Sequence, residues 1–171
     1  MKKKNIIVID LDGTLIKEDI TILSLKLLIK KNLLNTFRVL LWATQGKSFL
    51  KFRLSQQINI DVKKLTYNQK VINFIKKNKK NNKIVLSTGS YISYAKKINQ
   101  HIKLFDEVLG TSKNFNNIGT NKASRLQKKF KTEQIYTYIG NSRTDIPIWN
   151  ISKNSLSVNP NIKYKNIQYI R

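Results

Sequence analysis

From residue 6 to residue 9 the chain reads IIVI, four apolar β-branched residues without polar alternation, and then turns at once into charge and glycine. A run of that kind suits a strand buried on both faces, the pattern of a parallel sheet covered by helices. The same grammar returns at residues 83–86 (KIVL, running into STGS), at 136–139 (YTYI, running into GNS) and more briefly at 107–109, before GTS. Helical periods lie between these strands. Residues 68–80 place Val71, Phe74 and Ile75 on one face, residues 91–101 form a second, and residues 121–130 carry Ala123, Leu126 and Phe130 in one stripe. Strands alternating with helices predict an α/β fold, a Rossmann-like doubly wound and mostly parallel sheet, whose ligands gather where the strands end at their carboxyl edge.

Residues 16–66 interrupt this alternation, so the expected division is a core of residues 1–15 and 67–171 with a small helical cap inserted after the first strand. On one continuous helical projection of residues 20–57, Leu23, Leu27, Leu34, Phe37 and Leu41 share a face with Ile22, Ile29, Leu33 and Leu40, while Thr21, Lys31 and Arg38 lie opposite. Such a stripe usually packs on a core. Trp42, Phe49 and Phe52, interleaved with Lys30, Lys47, Lys51 and Arg53, also fit a surface that meets a membrane. The polar tail, residues 161–171, predicts no element, and no internal repeat is evident.

Charge narrows the partners more than the fold. Across 171 residues, 33 basic against 9 acidic side chains give a net charge of +24, which favours anionic partners: phosphorylated metabolites, nucleic acid or acidic lipid. Lysine is mixed with asparagine and isoleucine throughout, as in KKNKKNNK, a pattern that compositional bias also produces. The chain has no cysteine, hence no disulfide framework and no thiolate metal site, and the expected location is the cytoplasm. The basic start MKKK is followed by an apolar run too short for a secretory leader, and no apolar stretch approaches the roughly 18 residues needed to span a bilayer.

The chemistry begins at DLDGTL, where Asp10 and Asp12 stand two residues apart directly after a buried strand. Gly13 permits a tight reversal there and Thr14 can fix the turn. Acids at the end of an apolar strand are costly unless something uses them. A carboxylate can attack phosphorus to form an acyl phosphate, a second acid on the same turn can protonate the leaving oxygen and then activate water, and Mg²⁺ can offset the accumulated negative charge.

Four strings in order carry a family resemblance: IIVIDLDGTL, IVLSTGS, TNKASRL and YIGNSRTD. Together they resemble the four motifs of the haloacid dehalogenase superfamily, most of whose members are Mg²⁺-dependent phosphatases. The resemblance implies Asp10 as nucleophile and metal ligand, and Asp12 as general acid/base offering its backbone carbonyl to the metal. It implies Thr88, with Gly89 beside it and Ser87 as the other candidate, as the phosphate-binding hydroxyl, Lys122 as the cation facing the phosphoryl group, and Asp145 as a further Mg²⁺ ligand. Asn141, Ser142 and Thr14 would support them. The fourth motif usually has an acid where Asn141 stands, so the site loses one negative charge and is expected to hold Mg²⁺ more weakly. LTYNQKVINFI, LFDEVLGTS, YIGNSRTDIPIW and VNP further resemble the phosphatase-like domain associated with UbiA-type membrane prenyltransferases, in which a G-N-S-R-x-D fourth motif is a subgroup trait.

Taken singly, Thr88 could be a turn hydroxyl, Lys122 a surface lysine and Asp145 a helix cap. Their order gives them weight. Lys113 is a weaker substitute for Lys122, and His101 has no ligand partners in the pattern. The expected activity is therefore Mg²⁺-dependent phosphomonoester hydrolysis through an aspartyl phosphate, on a phosphorylated small molecule or a prenyl- or lipid-linked phosphate, with peripheral membrane or prenyltransferase association as the expected partnership. Phosphatase action on nucleic-acid ends or small metabolites, and a non-catalytic phosphate-binding regulator, are the competing classes.

Overall fold

The computed structural model describes residues 5–130 and 135–170. The basic start, residues 1–4, lies outside them.

Among the described residues six strands form one sheet in the order β3-β2-β1-β4-β5-β6, with every neighbouring pair parallel. They are β1 (Asn5–Ile9), β2 (Asn82–Tyr91), β3 (Glu107–Thr111), β4 (Ile135–Gly140), β5 (Asn154–Ser157) and β6 (Ile167–Tyr169). The unbroken apolar run of β1 has its cause in the layers on either side. Ile7 and Ile9 face one hydrophobic cluster, with Val71, Ile75, Ala95 and Ile98 of helices α4 (Gln69–Asn78) and α5 (Ile92–Ile102). Ile6 and Val8 face the other, with Leu126 of α6 (Gly119–Lys129) and Trp149 of α7 (Ile146–Trp149). Because β1 sits at the centre of the sheet, between β2 and β4, its carboxyl end is where the motif-bearing loops converge.

Two expectations change. The segment read as one continuous helical projection is three helices, α1 (Ile20–Lys31), α2 (Asn35–Thr44) and α3 (Lys47–Gln57). Asn32 ends the first in an extended conformation, its side chain accepting from the Leu34 amide, and Gly46, at φ 100°, makes the second turn. The tail also contains an element: β6 pairs with β5 through Ser155–Ile167, Leu156–Gln168 and Ser157–Tyr169.

The cap joins the core through Trp42, Leu54 and Ile58, which belong to the same cluster as Ile7 and Ile9. A second tie is polar. The Ile20 amide, at the start of α1, donates to Asp12 Oδ1 over 2.8 Å, so the first turn of the cap is anchored on one of the motif carboxylates. Among the described residues no helix is long and apolar enough to cross a membrane.

Candidate active site

At the carboxyl ends of β1, β2 and β4, a cavity of about 210 Å³ opens between core and cap, lined by Asp10, Asp12, Lys51, Lys122, Asn141 and Asp145 among others. Among the described residues Ile118 is the one apolar side chain in that lining. The cavity floor is a buried charge cluster. Asp10 is 6% exposed, Lys122 3% and Asp145 2%. The Lys122 ammonium donates to Asp10 Oδ1 at 2.8 Å and stands 3.7 Å from Asp145 Oδ1, so one cation from α6 bridges acids that follow two different strands.

The surrounding donors are equally specific. Tyr138, on β4, donates its hydroxyl to Asp145 Oδ1 at 2.5 Å and accepts from Lys122 at 3.1 Å. Asp145 Oδ2 accepts from the backbone amides of Asn141 and Ser142, both at 3.0 Å, and from Ser142 Oγ at 3.3 Å. Asp145 therefore does not cap the following helix with its side chain; it closes a capping box with Ser142 on the turn Arg143–Asp145, and the same carboxylate lines the cavity. Asp10 Oδ2 is the less encumbered oxygen: the Thr14 hydroxyl donates to it over 3.3 Å. Removing only the phenol oxygen, by Tyr138→Phe, leaves Asp145 and Lys122 each short of a buried partner. It should lower stability by about 1–3 kcal/mol without unfolding the protein, as read by denaturant melts against wild type.

Asp12 is held apart from this cluster. Its Oδ1 accepts from the Ile20 amide and, at 2.9 Å, from Ser90 Oγ; its Oδ2 accepts from Thr88 Oγ1 at 2.8 Å. Thr88 also accepts from the Ser90 amide, and it is fully buried behind Asp12, while Gly89 and Ser90 line the cavity. Ser87, the other candidate hydroxyl, is buried against Asn117 Nδ2 at 3.2 Å.

Gly13, at φ 68°, presents its bare Cα to the Asn141 side chain, and an added Cβ would collide with that amide. The glycine thus sets both the reversal and the packing of the first motif against the fourth. Arg143 is exposed on the adjoining turn, and Lys113 is exposed beside the Phe52 ring, away from the carboxylates.

Burial pushes the Asp10 carboxyl up to about 7, with the Lys122 ammonium opposing and the neighbouring charges of Asp145 and Asp12 reinforcing. Burial likewise raises Asp12, against the hydrogen bonds it accepts. Desolvation lowers the Lys122 ammonium, but Asp10 and Asp145 outweigh it and the net shift is upward. One lysine therefore leaves negative charge uncompensated at the cavity floor.

That residual charge and the donor chemistry test whether Mg²⁺ fits. Asp10, Asp145 and Asn141 line the cavity with side chains that carry hard oxygens, Asp10 Oδ2 being the least engaged of the carboxylate oxygens. Among the described residues no group of three or more His, Cys, Asp or Glu converges into a ready-made metal cage. Mg²⁺ is commonly bound by one or two carboxylates while keeping several waters and taking substrate phosphate, so the residues present fit it on those terms.

A family model described as haloacid dehalogenase-like hydrolase matches residues 7–149. The chain belongs to that family. Solved structures agree on the fold of this haloacid dehalogenase-like hydrolase. An apo phosphoserine phosphatase superposes with a TM-score of 0.65 at 15% identity, covering 98% of this chain and 92% of its own. A subfamily IA hydrolase of the superfamily from Geobacter sulfurreducens gives 0.67 at 12% identity, covering 97% and 95%. The uncharacterized protein y4nM of Sinorhizobium fredii is 26% identical over 168 residues, 93% of this chain. This chain spans 31% of that relative's length.

Three residues of the site carried no signal of their own in the sequence. Lys51, from α3 of the cap, reaches the cavity rim and donates to Gly89 O at 2.7 Å and Asn116 Oδ1 at 3.0 Å, with burial lowering its ammonium. In a chain with 33 basic residues one more lysine is indistinguishable. Ser90 and Tyr138 were legible only as members of strings, the last residue of STGS and the first of YIGNSRTD.

Proposed function

We propose that this hydrolase cleaves phosphate monoesters through a covalent phosphoenzyme on Asp10, with Mg²⁺ as its cofactor. The observation that carries the reading is the buried Lys122 bridge between Asp10 and Asp145 at the floor of a polar cavity, with Asp12 held separately beside it. Two carboxylates in unlike environments suit two unlike tasks. One solved structure of similar fold is a phospho-aspartyl intermediate analogue of phosphoserine phosphatase, with a TM-score of 0.58 at 15% identity, and a phosphoenzyme on that fold is in keeping with this reading.

In the first half-reaction Asp10 Oδ2 attacks phosphorus, and the bond from phosphorus to the ester oxygen breaks as the Asp10 acyl phosphate forms. Asp12, whose raised proton affinity suits a general acid, delivers its proton to that departing oxygen. In the second half-reaction Asp12 takes a proton from water, the water oxygen attacks phosphorus, and phosphate leaves Asp10 with its carboxylate restored. Lys122 holds Asp10 Oδ1 throughout and turns its remaining donor capacity toward the phosphoryl oxygens. Asp10, Asp145 and Asn141, with the backbone carbonyl of Asp12, would hold Mg²⁺, which supplies charge neutralisation at the phosphoryl group.

The substrate reading extends from small polar monoesters to prenyl- and lipid-linked phosphates, because the polar floor recognises the phosphate and not the remainder. Phosphate release from such a panel, with Mg²⁺ and with chelator, is the test; release that ignores the chelator would remove the cofactor from the account. Asn141→Asp restores the missing charge, and the Mg²⁺ concentration for half-maximal rate should fall about tenfold. An unchanged requirement would show that Asn141 lies outside the cation's influence.

A further inference from the structure

The cap carries an apolar face that none of the described residues covers. Leu33 is 76% exposed, Phe37 68%, Leu34 67%, Leu41 65% and Leu40 59%. Isolated exposed leucines need no explanation, but a contiguous patch does. At 100° per residue these five lie within about 120° of one another on α2 and the turn that leads into it. Their opposite face is occupied: Trp42 is buried and Val39 packs against the core cluster. Val39 and Trp42 therefore seat α2 on the cap, and the outward stripe contributes nothing to that seating.

The structure also corrects which residues form the surface. Trp42 is buried, and Phe49 and Phe52 are half-buried, so the aromatics that suggested a membrane face in the sequence are not part of it. The exposed stripe is aliphatic with one phenylalanine.

Charge selects the occupant. From Ile20 to Ile60 the chain contains seven Lys or Arg residues and no Asp or Glu. Lys26, Lys30, Lys31, Arg38 and Lys47 are exposed, with Lys30 and Lys31 in the last turn of α1 next to Leu33 and Arg38 next to Phe37. A second copy docked face to face would oppose two such positive rims. An anionic bilayer surface matches both features, taking the aliphatic stripe below its headgroups and the ammonium and guanidinium groups among them. At 10 residues α2 is about 15 Å long, half the hydrocarbon thickness of about 30 Å, so it would lie in the interface and not span it.

We propose that α2 and the turn before it form a peripheral docking surface for anionic lipid bilayers. The inference rests on the cap and not on the proposed reaction. It also gives that reaction a location, because α3 packs on both α1 and α2 and carries Lys51 to the rim of the catalytic cavity.

Co-sedimentation of the full chain with vesicles tests it, using phosphatidylcholine alone and phosphatidylcholine containing phosphatidylserine at physiological salt. The expected result is binding to the phosphatidylserine vesicles and little to the neutral ones. The triple variant Leu34→Ser, Phe37→Ser, Leu41→Ser should lose that binding by at least about tenfold, since each change withdraws apolar area from the acyl boundary. Lys30→Gln, Lys31→Gln, Arg38→Gln should weaken it as well. Equal binding by the serine variant would reduce the interaction to adsorption of a +24 protein and overturn the proposal. Absence of wild-type binding to either vesicle would also overturn it, as would a solution dimer that the serine variant dissociates, since that assigns the face to a second copy. Vesicle binding is read without turnover, and phosphate release from a soluble monoester is read without vesicles, so either reading can fail while the other stands.

Discussion

Asp10→Asn should abolish phosphate release, by at least about a thousandfold, while leaving the protein folded. The amide keeps the shape of the carboxyl and still offers an oxygen to Lys122, which now donates to Asp10 Oδ1 at 2.8 Å. It cannot attack phosphorus to give an acyl phosphate that water then cleaves. Because Asp10 is buried under its own charge and that of two neighbouring acids, neutralising it relieves repulsion with Asp145 and Asp12. A melting curve close to wild type, recorded on the same preparation, separates loss of chemistry from loss of fold. Thr14→Ala is the contrasting variant: its hydroxyl contact to Asp10 Oδ2 is 3.3 Å, so a far smaller drop is expected.

Lys122→Met should be the most destabilising change at the site. It removes the ammonium that bridges Asp10 and Asp145, leaving two carboxylates buried side by side. Deleting one partner of a buried pair costs about 3–5 kcal/mol, and in a chain of this size that lowers Tm on the order of 10 °C. Catalysis should fall with it, because the Lys122 ammonium no longer faces the charge that develops on the phosphoryl oxygens. The cause can be isolated by a double-mutant cycle. Adding Asp10→Asn to Lys122→Met removes one of the orphaned charges, so the double variant should melt above the single lysine variant. Strict additivity of the two losses would mean that the ion pair is not what Lys122 contributes.

The parts of this molecule that were legible in its sequence are those where one local pattern has one physical solution. IIVI followed by DLDG can hardly be anything but a buried parallel strand delivering acids to the sheet edge, and β1 lies at the centre of six parallel strands. Lys122 was legible through its place at the start of a helical stripe, although only the fold brings its ammonium to a carboxylate 112 residues away. β5 and β6 were not legible. At four and three residues they are too short for a period to register, and they exist because β4 leaves an edge with backbone groups to satisfy. The cap was read as one projection because the turn at Leu33 and Leu34 continues the apolar phase of α2, so the break falls at Asn32 and Gly46 without disturbing the stripe. What the stripe faces could not be read from periodicity at all. An outward and an inward apolar face have the same spacing, and only burial tells them apart.

The same limit applies within the active site. Tyr138 sits in a strand whose burial explains an aromatic ring, and its hydroxyl gains meaning only from Asp145 and Lys122, which the chain returns from a turn and from another helix. Thr88 shows the same limit: its place in IVLSTGS could not reveal that its hydroxyl donates to Asp12.

The most direct test of a phosphoenzyme on Asp10 is phosphate release from a panel of monoesters, measured for wild type and Asp10→Asn side by side in Mg²⁺. The account predicts release by wild type from at least one monoester and none above background from the folded variant. Folded wild type that releases phosphate from no member of the panel, or an Asp10→Asn variant that matches it, would contradict the account.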